Sequence, residues 1–183
     1  MWLNSERKYG YVSIAIHWIT ALLIISAYLS IHLAELFEHS AHDFPLEAFL
    51  KEVHYVVGLS IFLLLLGRLA LLVIQTRPVH QSVKPQNDSL LVLTTIVHNL
   101  LYLFLFSMPI LGWLTLSAEG ETFSYIGFTM PSVWERSEFW EDLFEETHEI
   151  IGTFGYLLIG LHSSAALVHH YVFKDQTVSK MLP

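Results

Sequence analysis

The sequence contains no cysteine. That removes disulfides, thiolate metal sites, iron–sulfur clusters, a thiol nucleophile and covalent haem attachment through C-x-x-C-H. Charge is scarce as well. Asp, Glu, Lys and Arg make up 14% of the 183 residues, against about a quarter in a soluble globular domain. Lys and Arg number only 9 beside 17 Asp and Glu, so there is no basic surface to take nucleic acid as a partner. A P-loop, a dinucleotide fingerprint and a catalytic triad are missing, as are internal repeats, linkers and low-complexity tracts. What is present is hydrophobic: 54% of all residues and a mean hydropathy of +0.51. Into this chain are set 11 histidines. The length suits a single domain, 1–183.

Long uncharged runs set the fold class. Tyr9 to Ala34, Ser89 to Ala118 and Ile150 to Phe173 carry no charged residue, and Val53 to Thr76 is broken only by Arg68. A bilayer core of about 30 Å needs about 20 apolar residues in helix, and backbone in lipid must satisfy its own hydrogen bonds. The reading is an all-α membrane protein, a four-transmembrane-helix bundle with helices at about 12–34, 53–76, 92–116 and 148–173. Pro109 is expected to kink the third. The first run exceeds the apolar core of a signal peptide and no clear A-x-A site follows it, which predicts a retained helix.

Four spans put both termini and the 77–91 loop on one side. Arg7, Lys8, Arg77, Lys84, Lys174 and Lys180 lie there, with Arg68 near the exit of the second helix, against Lys51 and Arg136 opposite. The positive-inside rule then places both termini in the cytoplasm. Acids gather on the other side, most densely in the outer loop 117–147. That loop also holds Trp134, Phe139, Trp140 and Phe144, which suits a short amphipathic helix at the outer interface.

Ionisable side chains within a membrane mark function by default. By chain direction, His17 lies near the inner surface, while His54 and His148 lie near the outer one. His162 follows His148 by 14 residues, about 21 Å deeper and within roughly 40° of the same helix face. Two pairs result, His54 with His148 outside and His17 with His162 inside. Opposed imidazoles on separate helices suit axial ligation of haem iron, and without cysteine the haem is b-type. The residue four after each histidine is small: Ala21, Gly58, Gly152 and Ala166. A flat macrocycle needs such clearance, although small residues also serve helix packing. Arg68, 14 residues after His54, reaches the inner layer and can grip a haem propionate; the competing reading has it snorkel to the headgroups. His98, His169 and His170 either line a quinone pocket or are interfacial. His39, His42 and Asp43 form a metal-like triplet of a kind common in acidic loops.

The segments around these histidines resemble the bacterial cytochrome b561 family. They are Ser-Ile-Ala-Ile-His-Trp around His17, Val-His-Tyr-Val-Val-Gly around His54, Met-Pro-Ile-Leu-Gly from Met108 and Gly-Phe-Thr-Met-Pro from Gly127. Thr-His-Glu around His148, Ile-Gly-Leu-His-Ser-Ser-Ala-Ala-Leu-Val-His-His-Tyr from Ile159 and Lys-Asp-Gln-Thr from Lys174 complete the set. The resemblance implies a bacterial inner-membrane protein with two haem b groups, His17 and His162 on the inner iron, and His54 and His148 on the outer. It implies a ubiquinone site toward the cytoplasm, for which Lys84 and His169 are candidates, and superoxide as an electron donor. The acidic outer surface opposes that anion, with Lys51 and Arg136 as the basic exceptions. Two other readings stand beside this one. The first is a membrane-anchor cytochrome b subunit relaying electrons for a partner dehydrogenase or hydrogenase. The second is a non-haem, histidine-lined metal-binding or transport protein.

Overall fold

The computed structural model describes residues 2–4, 9–37, 44–74 and 88–182. Four α-helices dominate it: α1 Tyr11–Phe37, α2 Phe44–Ile74, α3 Asp88–Glu119 and α4 Glu138–Tyr171. All four are long and apolar enough to cross a membrane. The chain is thus an all-α membrane bundle. The most extensive backbone packing is α1 with α2 and α3 with α4, while α2 meets α3 less extensively. The result is two helical hairpins, and side chains bridge the gap between α1 and α4.

Two helices begin earlier than their hydropathy indicates. α2 starts at Phe44, nine residues before Val53, with Pro45 in its first turn, where the absent N–H has no helical partner to lose. The Glu47–Lys51 ion pair, one turn apart at 2.8 Å, supports the same stretch. α4 starts at Glu138, so the expected separate amphipathic helix is in fact its first turns. No glycine or proline lies between 138 and 151 to break it, and Glu138 and Glu141 sit in the first turn, where the helix dipole favours anions. At 34 residues α4 is about 50 Å long, well beyond a hydrocarbon core of about 30 Å.

α3 continues through Pro109, which leaves the Leu105 carbonyl without its usual helical donor. It ends in a Schellman arrangement. Gly120 takes φ +86°, and the N–H groups of Gly120 and Glu121 bond the carbonyls of Ser117 and Leu116. Glycine adopts that left-handed conformation without a steric penalty. The segment that follows holds a two-stranded hairpin, β1 Ser124–Tyr125 and β2 Phe128–Thr129. Its two-residue turn places Ile126 and Gly127 at φ 49° and 82°, both positive as a type I′ turn requires. The hairpin lies against α2 through Phe123 on Tyr55 and Tyr125 on Ser60. At the end carrying the termini, the C-terminal tail folds back, and the Trp18 indole N–H donates to the Met181 carbonyl at 2.7 Å.

Candidate functional site

Near the loop end of the bundle, α2 and α4 bring His54 and His148 together, with ring centres 6.2 Å apart. Near the terminal end, α1 and α4 bring His17 and His162 to the same separation, 6.2 Å. Each pair joins one helical hairpin to the other. Two metal–nitrogen bonds of about 2 Å, each extended by about 1 Å from nitrogen to ring centre, give about 6 Å between imidazoles on opposite sides of one metal ion.

The tautomers can be read from the hydrogen bonds. His54 Nδ1 lies 2.9 Å from the Ala27 carbonyl oxygen. A carbonyl only accepts, so Nδ1 carries the proton and Nε2 keeps the lone pair that a metal needs. His148 Nδ1 is buried without a full hydrogen bond, a weak approach to the Met108 carbonyl standing in its place. Gly112 makes room for this ring: a Cβ there would stand 3.2 Å from His148 Cε1. A Cβ on Gly58, one turn after His54, would meet nothing within 4 Å.

These donor sets suit b-type haem. Each layer offers two imidazoles from separate helices. Among the described residues no three His, Asp or Glu side chains converge as a metal site. Two imidazoles alone leave a tetrahedral cation half-coordinated, whereas a porphyrin brings four nitrogens of its own.

Other residues cluster around the terminal-end pair. His98 on α3 meets His162 edge to face, with centres 5.2 Å apart, and its Nδ1–H donates to the Thr94 carbonyl at 2.7 Å. Arg68 lies half-buried, its guanidinium 5.5 Å from the Tyr102 ring centre. It shares a small cavity with Asn4, Tyr9, Ser13, Ile16 and Met181. His169 stays apart from the pair and bonds Asp175 at 2.5 Å. Burial pushes the Asp175 carboxyl up, but hydrogen bonds from Thr177 and His169 outweigh it and hold the group below its usual range. Lys84, His39, His42 and Asp43 lie outside the described residues.

Three participants escaped the sequence reading. The contact of His98 with His162, the clearance at Gly112 and the Ala27 carbonyl all depend on interhelical geometry. The Gly at the end of Met-Pro-Ile-Leu-Gly was the one signal for the second of these.

The chain is similar to known proteins along most of its length. The family model described as prokaryotic cytochrome b561 matches residues 8–183. The chain is 32% identical over 179 residues to "Probable superoxide oxidase CybB" of Yersinia pestis, covering 97% of both chains. It is 30% identical over 179 residues to cytochrome b561 homolog 1 of Escherichia coli (strain K12), covering 97% of this chain and 98% of that one. With homolog 2 of the same organism the identity is 27% over 184 residues, covering 98% and 93%.

Proposed function

The chain belongs to the prokaryotic cytochrome b561 family, membrane proteins that bind b-type haem and transfer electrons, and we propose that it holds two haems. His17 and His162 are the axial ligands of one, His54 and His148 of the other. The observation that carries this reading is the equal 6.2 Å spacing of two imidazole pairs at opposite ends of one bundle. Held by these histidine pairs, haem would supply a one-electron iron couple.

The residues of this chain bind, orient and shield. The Ala27 carbonyl fixes the His54 ring, Gly112 admits the His148 ring, and the apolar helices keep water away. Arg68 is the propionate partner of the terminal-end haem; its depth and its place beside Ile16, next to His17, support this. Both termini face the cytoplasm, as the distribution of Lys and Arg supports. With haem bound at both layers the chain would serve electron exchange between a donor on the outer side and ubiquinone on the inner side, with Lys84 and His169 as the residues that would contact the quinone. The name of the Yersinia pestis relative supports superoxide as that donor. The carboxylates of the 119–149 region oppose it, because they repel an anion.

A dithionite-reduced-minus-oxidised spectrum with a pyridine haemochrome count tests the reading. Two haem b per chain are expected, and a chain purified colourless from haem-replete cells would end it. The early start of α4, which raises an acidic and aromatic helix above the outer layer, favours the second reading of an anchor for a partner enzyme. Quinone reduction by the purified chain with superoxide alone would exclude that role.

A further inference from the structure

α1 gives no histidine to the outer pair, yet two consecutive residues of α1 hold it from both sides. The Ala27 carbonyl accepts the His54 Nδ1–H. The Tyr28 hydroxyl donates to the Gly152 carbonyl at 2.6 Å, one helical turn beyond His148. The Ala27 backbone carbonyl faces α2, while the Tyr28 side chain reaches α4. The backbones of α1 and α4 do not pack closely, and the phenol crosses the gap between them.

α4 is shaped to receive it. A Cβ on Gly155 would collide with the Tyr28 hydroxyl and with the Phe104 ring. Both Gly152 and Gly155 are buried. The Tyr156 ring lies against Tyr28, with centres 4.4 Å apart, and its hydroxyl bonds His32. A glycine carbonyl with a second lone pair accepts the phenol without giving up its helical hydrogen bond.

We infer that Tyr28 is the positioning residue of the outer site: by tying α1 to the Gly152 carbonyl it fixes the turn that carries His148 opposite His54. The inference rests on the haem reading proposed above. Groups that hydrogen-bond a metal ligand directly, as the Ala27 carbonyl bonds His54, typically change metal affinity 10–100-fold when removed; Tyr28 acts one step further back, so the low end of that range is expected.

Tyr28→Phe deletes only the hydroxyl. It is made in two parents, His162→Ala, which keeps the outer haem, and His148→Ala, which keeps the inner. Haem transfer to excess apomyoglobin is followed by absorbance. Loss of the outer haem should quicken about tenfold, while the inner haem leaves at its parent's rate. Gly155→Ala should reproduce the effect, and Tyr156→Phe, which spares the Gly152 bond, should not. Unchanged loss of the outer haem, or equal acceleration of both haems, overturns the assignment. A readout without haem separates it from the parent reading. Amide exchange over residues 147–152 of the haem-free chain should rise about tenfold in Tyr28→Phe, and equal exchange there overturns the assignment even if the chain binds no haem.

Discussion

Replacing Gly112 by alanine loads the outer layer directly against the His148 ring. The new Cβ would stand 3.2 Å from His148 Cε1 and 3.5 Å from Nδ1, whereas carbon atoms attract best at about 3.5–4.0 Å. The ring must give by a few tenths of an ångström, a large part of the roughly 0.5 Å that a functional constellation tolerates. Two energies then oppose each other. Alanine gains about 1 kcal/mol over glycine in a helix interior, and overpacking costs about 1–3 kcal/mol. The gain belongs to α3 as a helix; the cost falls on His148. The expected protein melts within a few degrees of the parent and keeps its inner haem in full. Its outer haem has a shifted midpoint potential and lower occupancy. Potentiometric titration with a haemochrome count reads both, and Gly67→Ala, whose Cβ meets nothing within 4 Å, is the control. An outer haem in Gly112→Ala that matches the control would refute the steric reasoning.

Further outcomes follow from the other layers. His54→Ala or His148→Ala should lower the haem count from two to one per chain and leave the inner haem's spectrum unchanged; loss of both haems from each single variant would contradict independent sites. At the tail, the lowered Asp175 carboxyl stabilises docking fully above its unfolded value of about 3.9, and the contribution fades as pH falls through the lower folded value. Protease resistance of residues 174–182 should therefore hold from pH 8 to pH 5 and fail only in stronger acid, while Asp175→Asn loses it throughout. Protection that already fell between pH 7 and pH 5 would assign the contact to another group.

The membrane-spanning parts of the fold were legible because lipid leaves the sequence few choices. Twenty uncharged residues must be helix, and 14-residue spacings convert directly into depth. Helix ends in water carry no such signal. Phe44–Glu52 and Glu138–Thr147 are helical because nothing interrupts them, and a hydropathy reading stops short of both. The hairpin at 124–129 was hidden for a different reason: its turn begins with Ile126 at positive φ, where asparagine or glycine would have announced it. At the candidate site, depth puts His17 with His162 and His54 with His148 in common layers. Whether a residue beside them touches them is a matter of helix rotation, which is why the contact of His98 with His162 and the bond from Tyr28 to Gly152 could not be read from spacing.

The uninterrupted run of α4 from Glu138 to His148 has a mechanical consequence. Ten residues of stiff rod connect the acidic, aromatic tip to an imidazole facing the bundle interior, and the first glycine, Gly152, comes only after that imidazole. A load applied at Trp140 or Phe144 therefore meets no joint before it reaches the ring. The rod acts as a lever whose fulcrum is the Gly152–Gly155 turn, where Tyr28, Phe104 and Met108 bear on it. A contact made at the tip would be carried to His148 with no joint between them.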